Sequence, residues 1–232
     1  MNGRAARSSP ARHAAARRDS QTRYMDAAEA LFIERGYEGT SIRDIAARAR
    51  SHLGTLHYFW GSKEALFAAV CARRFDPIQT QQLQRLRACR DSGPSEPRAA
   101  VTGIVRALVE PPLLVAGADE PLRRSVHRLY GRALTEPSPV VMRLVREQFR
   151  ESTRLFVRLL RQHCGRLGDQ SFYWRLNCAL GAFIFAQSFG DRVAFALEQA
   201  LDEVDWERVA AEVTGFIVRG LDATRGVRAA SA

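Results

Sequence analysis

The sequence predicts an all-α fold, with a small helical domain at the N-terminal end and a larger helical domain behind it. Three observations carry that expectation. Apolar residues recur at three- and four-residue spacing along most of the 232-residue chain. No segment shows sustained apolar-polar alternation bounded by hairpin turns, the pattern a half-buried strand needs. The periodic segments are separated by helix-breaking chemistry: Gly36, the DSGPSEP run at 91–97, the Pro-Pro pair at 111–112 and EPSP at 136–139. Self-similarity at solenoid periods is absent, so a repeat array is not expected.

Hydrophobic residues make up 46% of the chain and charged residues 26%, a composition that permits a buried core. Lys+Arg 35 against Asp+Glu 25 leaves a formal charge of +10, which favours polyanionic partners such as nucleic acid or an anionic membrane surface. Arginine supplies nearly all of the excess, and Lys63 is the sole lysine, so the position of the charge matters more than its total. Cys71, Cys89, Cys164 and Cys178 have no CxxC spacing and no nearby histidine pairs, which argues against a zinc site and a disulfide framework. A reducing cytoplasm is the expected compartment. No apolar run follows the first basic residues, so no signal peptide is expected. The longest apolar segment, 179–186, is shorter than the roughly 18–20 residues of a membrane span.

Residues 1–18, MNGRAARSSPARHAAARR, hold five arginines, no acid and almost no large apolar group. Too little surface could be buried there to offset ordering, so a mobile basic arm is expected. It serves either as an inert solubilising tail or as a phosphate-contacting arm. Helical spacing begins after Asp19 with Tyr24, Ala27, Ala28, Leu31 and Phe32, and stops at Gly36. Ser41 and Asp44 then have capping-box spacing, ahead of a stripe formed by Ile42, Ile45, Ala46 and Ala49. A third helix covers about 52–60. Ser62 caps a longer fourth helix, which Pro77 should kink or restart. Residues 140–163, 172–188 and 206–221 read as further long helices.

Three short helices with a tight second connection, followed by a long fourth, form the layout of a helix-turn-helix module on a scaffold. Leu56, Phe59 and Trp60 share one face of the third helix and should pack inward, leaving Gly54 and Tyr58 opposite, flanked by Thr55 and His57. Glycine admits a close backbone approach to DNA, and the hydroxyl and imidazole groups can donate to phosphate oxygens. The N–H groups at the helix beginning with Ser41 can hold a phosphate, and Arg43 can reach a phosphate or a guanine edge.

The runs GYEGTSIRDIAARA and GTLHYFWGSKEALF resemble the N-terminal DNA-binding domain of the TetR family of bacterial transcription regulators over about 19–67. That resemblance implies a homodimer on palindromic operator DNA, a phosphate contact from Lys63, and a helical domain that binds a small-molecule effector. The DNA-binding set is then Ser41, Arg43, Arg50, His52, Gly54, Thr55, His57, Tyr58 and Lys63. Family members usually have Gly-Val where this chain has Arg50-Ser51, and an aromatic hydroxyl where it has His57. A non-glycine residue in a left-handed turn costs about 1–2 kcal/mol. Leu53 is expected to replace part of the apolar contact that serine forfeits, and Arg50 to add a phosphate contact.

Behind that domain, RRFDPIQTQQLQRL, EPSPVVMRLVREQF and FYWRLNCALGAFIFAQ resemble the PsrA-like branch, which implies acyl or other apolar effectors. The expected domains are an arm at 1–18, the DNA-binding domain at 19–66, an effector-binding and dimerisation domain at 67–224, and a tail at 225–232. An effector pocket is expected between helices bearing Val105, Leu108, His127, Tyr130, Phe149, Phe156, Trp174 and Asn177, which offer an apolar wall with a few polar groups. The helix at 172–188 is apolar nearly all round and so should be buried on every side, either by its own domain or by a partner. With the last helix it gives the expected dimer seam: Ala179, Gly181, Ala182, Phe183, Trp206 and Phe216. No Walker-type loop, HExxH or GxSxG appears, so neither an enzyme nor a cofactor or metal site is expected. The alternatives are an interaction protein whose DNA reader is weakened at Arg50-Ser51, and a helical enzyme.

Overall fold

The computed structural model describes residues 10–93, 96–165, 167–189 and 204–222. Among them are ten α-helices and no strand: α1 (Pro10–Arg35), α2 (Ile42–Arg48), α3 (Leu53–Trp60), α4 (Lys63–Asp91), α5 (Pro97–Leu114), α6 (Glu120–Thr135), α7 (Pro139–Gln148), α8 (Arg150–His163), α9 (Asp169–Phe189) and α10 (Trp206–Leu221). The all-α fold expected from the spacing is the fold observed.

Helix α1 begins earlier than the spacing predicts. Residues 10–18 are helical rather than an unstructured arm, because Pro10 is suited to a first helical position and the Ala-Arg run behind it has high helix propensity. Residues 1–9 and 225–232 lie outside the described residues. The helix stops where Gly36 takes φ 75°. Tyr24, Ala28, Leu31 and Phe32 from α1 then meet Ile45, Leu56, Leu66, Phe67 and Val70, all buried, to form the core of the small domain.

Helix α4 runs through Pro77 without restarting. Pro77 is exposed, while Phe75 and Ile78 beside it are buried, so packing on both sides holds a helix whose one missing donor lies toward solvent. From Lys63 to Gln82 the helix spans roughly 30 Å at 1.5 Å per residue. One rigid element therefore connects the small domain to the centre of the large one, where it packs against α5 and α8.

The single helix expected over 140–163 is two, α7 and α8, divided at Phe149. The buried Phe149 ring lies against Phe75 (centroids 5.6 Å apart) and Tyr130 (5.3 Å). The Gln79 amide donates to the Gln148 carbonyl, and Gln148 Nε2 reaches Asp76 Oδ1 at 2.7 Å. Ring burial and the recruited side chains favour the break over one more helical turn.

Candidate nucleic-acid interface and effector cavity

The second connection, Ala49 to His52, sets how α3 is presented. Arg50 has φ 49°, in the left-handed region. Its N–H donates to the Ala47 carbonyl (3.1 Å), and the Ser51 N–H donates to the Ala46 carbonyl (3.0 Å). These two bonds form a Schellman ending to α2 with arginine in the place that favours glycine. The apolar contact that usually accompanies this ending falls to Ser51, which cannot make it. Leu53 does not replace it. The side chain is 38% exposed and stands outside the core cluster, because the first turn of α3 projects into solvent.

The connection is held instead from α1. Tyr24 Oη donates to the His52 carbonyl (2.6 Å), and its ring meets Trp60 edge-on at 5.8 Å, so one buried tyrosine holds both ends of α3. Leu56 is fully buried, and Phe59 and Trp60 pack against the core. The opposite face stands in solvent: His52, Gly54, His57 and Tyr58 are exposed, and Thr55 is half-buried. A Cβ on Gly54 would meet no atom within 4 Å, so no packing in the free protein requires glycine there. His57 Nδ1 lies 3.0 Å from the Gly61 carbonyl.

The side chains of Arg43 and Arg50 are exposed, with no hydrogen-bond or ion-pair partner among the described residues. Ser41 is occupied: its Oγ accepts from the Asp44 N–H (3.1 Å) and donates to Asp44 Oδ2 (2.6 Å), in the capping box the spacing predicts. Hydrogen bonds from Ser41 hold the Asp44 carboxyl below its ordinary range, so a negative charge already sits at this helix start. Lys63 is also largely occupied. Its ammonium donates to the Tyr37 (3.0 Å) and Thr40 (3.1 Å) carbonyls and lies 4.1 Å from the Tyr37 ring centroid. One of its three N–H groups is left for a phosphate.

The sequence places Arg17 in the basic arm and gives no direct sign of its contact with α3. Its guanidinium lies 5.4 Å from the Tyr58 ring centroid and 5.9 Å from that of Phe59. Arg17 and Tyr24 are seven residues apart, hence on one face of α1, and both touch α3. Extending the helical period into the Ala-Arg run would have found it. Glu29 was missed too. Buried in α1, it accepts from Arg73 and Arg74 of α4 and from Ser125 of α6 (2.7 Å), tying the small domain to two helices of the large one. Burial pushes its carboxyl up, yet the hydrogen bonds from Arg74, Ser125 and Arg73 outweigh that and hold it below the usual value.

The large domain contains a cavity of about 670 Å³ that opens to solvent on one side. Leu108, Tyr130, Phe149, Phe156 and Phe183 wall it, Gln82 and Ser152 add polar groups, and Arg146, Arg150 and Arg154 stand at its solvent side. Tyr130 and Phe149 are where the sequence places them. His127 is not: it is buried elsewhere, its Nε2–H donating to the Pro112 (3.0 Å) and Leu113 (3.1 Å) carbonyls and its ring 4.3 Å from that of Trp206. Burial lowers its pKa to about 4 despite those bonds. Val105 is buried in the core and is not among the cavity's lining residues.

Trp174 and Asn177 also lie outside the cavity, on the solvent side of α9, where Asn177 Nδ2 donates to the Tyr173 carbonyl (2.8 Å). Within one protomer α9 is buried on one side only. Phe172, Ala179 and Phe183 turn inward, whereas Trp174 (60% exposed), Cys178, Gly181 and Phe185 face out at three- and four-residue spacing. Of the expected seam, Gly181 and Phe216 are exposed and Ala182 is half-buried. Ala179 and Phe183 are covered by their own chain, and Trp206 is half-buried against His127.

Among the described residues, no group of three or more His, Cys, Asp or Glu side chains could hold a metal ion, and no helix is long and apolar enough to cross a membrane. Residues 25–70 match the family model described as bacterial regulatory proteins, tetR family, and residues 106–220 match that of the tetracyclin repressor-like C-terminal domain. The chain is 28% identical over 146 residues to the HTH-type transcriptional repressor KstR of Rhodococcus jostii, a match spanning 53% of this chain and 64% of the repressor. A candidate fatty acid metabolism regulator of Clostridium perfringens has a similar fold, with a TM-score of 0.58 and 18% identity over 85% of this chain and 97% of that one. So does AibR, solved in complex with isovaleryl coenzyme A and operator DNA, with a TM-score of 0.53 and 19% identity over 85% of this chain and 97% of that one.

Proposed function

The chain belongs to the TetR family of bacterial transcriptional regulators, and from that premise we propose that it is a cytoplasmic repressor that binds a palindromic operator as a homodimer and is released by an apolar or acyl effector. The observation that carries the reading is the solvent face of α3, with Gly54, Thr55, His57 and Tyr58 presented over a fully buried Leu56. These four residues enter the major groove, while Arg43, Arg50, His52 and the remaining N–H of Lys63 hold phosphates on either side. Ser41 contributes by fixing the start of α2. Residues 19–66 form the reading domain and 67–224 the effector and dimerisation domain, with α1 continuing into the former arm.

One eight-residue helix reads only a few base pairs, so a twofold partner is needed to read a palindrome. The outer face of α9 and α10, with Trp174, Gly181, Phe185 and Phe216 exposed, is an apolar surface suited to that partner. An acyl effector fits the aromatic wall of the cavity, and the acyl coenzyme A bound by AibR supports that class. Release requires that the effector bind more tightly to a conformation whose α3 spacing no longer fits the operator. Helix α4, with Gln82 at the cavity and Lys63 at the reader, supplies the mechanical link.

Titrating labelled DNA from beside the chain's own gene with the full chain, at two salt concentrations, tests the reading. A specific complex that weakens with salt by about 0.9 log units per phosphate contact per log unit of salt agrees with it. Weak, sequence-independent binding instead favours the interaction protein with a weakened reader, the reading to which the strained Arg50 points.

A further inference from the structure

Among the described residues, the cavity lining has one buried side-chain polar atom without a hydrogen-bond partner. Gln82 is 1% exposed, and its Nε2 donates to the Leu108 carbonyl at 2.8 Å. A carbonyl can only accept, so this bond fixes which end of the amide is which. Oε1 is left buried with no hydrogen-bond partner among the described residues, in a side chain that lines the cavity. The Tyr130 hydroxyl is beside the same amide: burial raises its pKa against a hydrogen bond with Gln82 that lowers it, so the phenol stays neutral and keeps its O–H to donate. A buried acceptor and a neutral phenol together in an aromatic wall can serve one group well: a hydroxyl, which donates to Oε1 and accepts from the phenol. A plain hydrocarbon chain would leave Oε1 unpaired, and a ketone would add a second acceptor where a donor is missing.

The other end of the cavity has the opposite chemistry. Arg146, Arg150 and Arg154 are exposed at four-residue spacing across α7 and α8. Arg150 pairs with Glu147, whereas Arg146 and Arg154 have no ion-pair partner among the described residues. Guanidinium groups so placed suit an anionic head held outside the apolar space.

We infer that the cavity selects acyl chains bearing a hydroxyl, with Gln82 and Tyr130 reading the hydroxyl and Arg146 and Arg154 holding an anionic head. This rests on the effector reading above and adds the specificity of the same site. The head is either a carboxylate or the phosphates of a thioester carrier, and both belong in the test.

The experiment measures binding of octanoyl probes to the full chain by calorimetry: unsubstituted octanoate, its positional hydroxy isomers, and the coenzyme A thioester of each. At least one hydroxy isomer should bind about tenfold or more tightly than the unsubstituted chain with the same head. In Tyr130→Phe, which keeps the ring, the preference should shrink to about twofold, with a melting curve confirming the fold. Gln82→Met should do the same, and Tyr130→Phe stands alone should loss of the Leu108 bond unfold that variant. Arg146→Gln with Arg154→Gln should weaken all probes alike and leave the hydroxyl preference intact. Acyl probes that bind with no preference for any hydroxy isomer would overturn the inference and leave the effector reading standing. Failure of every probe to bind would overturn both.

Discussion

The Arg17 guanidinium lies 5.4 Å from the centroid of the Tyr58 ring, so a residue from the third turn of α1 covers the aromatic side chain at the centre of the reading face. Tyr58 is nevertheless 69% exposed, and the contact leaves most of the ring for a partner. An exposed cation–π pair contributes about 0.5–1 kcal/mol, enough to bias a surface side chain and too little to hold a domain together. Arg17→Ala should therefore leave the melting temperature unchanged and weaken operator binding about three- to tenfold, with the salt slope lowered by about one phosphate contact. Fluorescence anisotropy across a salt series measures both. An unchanged slope would remove Arg17 from the DNA contacts.

Arg50 tests the strained connection. At φ 49° a glycine relieves the side-chain clash, and Arg50→Gly should stabilise the chain by about 1 kcal/mol, raising the melting temperature by about 2–4 °C. Operator affinity should fall in the same variant, because an exposed cation without an internal partner is lost. A variant with neither change would make the arginine incidental.

Glu29 is the buried joint between the domains. Glu29→Gln keeps its shape and removes the charge that Arg73 and Arg74 face, and breaking a buried pair from one side costs about 3–5 kcal/mol. Thermal unfolding should show a drop of roughly 10 °C. A smaller loss than that of an exposed pair such as Arg48–Glu34 would mean that solvent reaches the site.

Acid should act through His127 first. Its folded pKa, about 4, lies below the ordinary histidine value of 6.5, so between those values the unfolded chain binds the proton that the native state refuses. Stability is full above about pH 6.5 and falls as the pH drops toward 4. Denaturant titrations at pH 7 and pH 5 should differ by about 2 kcal/mol from this residue, and His127→Gln should remove most of that difference. Glu29, whose folded pKa is depressed, adds its loss below the ordinary carboxyl value of 4.5.

The outer face of α9 and α10 should carry the dimer. Trp174 and Phe216 are about 60% exposed in the protomer, so replacing both with glutamate disturbs no core contact. Light scattering should show the mass falling from twice 25.9 kDa to 25.9 kDa, with operator affinity lost in parallel. A monomeric parent chain would contradict the proposed symmetry.

Much of the fold was legible because its signals are local. The Ser41–Asp44 box, the stop at Gly36, the Ser62 cap and the buried phase of Leu56 depend on neighbours within a turn or two. The errors arose where distant contacts override local chemistry. Pro77 signals a kink or a restart, but packing on both sides carries the helix through without a restart; the break at Phe149 has no Gly or Pro signal and depends on Phe75, Tyr130 and Gln79. The apolar composition of α9 could not show which stripe faces inward, which is why Trp174 and Asn177 were assigned to a pocket they do not line. Gln82 and Glu29 gave no signal at all, since an amide or a carboxylate in a helix looks solvated until its partners on other helices are known.

Whether α3 reads DNA from a symmetric pair is decided by a nuclease footprint of the full chain on the DNA beside its own gene. One protected palindrome is expected, with half-sites about one helical turn apart or a multiple of that, and its loss with Tyr58→Ala. Protection with no defined boundary, or a footprint that Tyr58→Ala leaves in place, would contradict it.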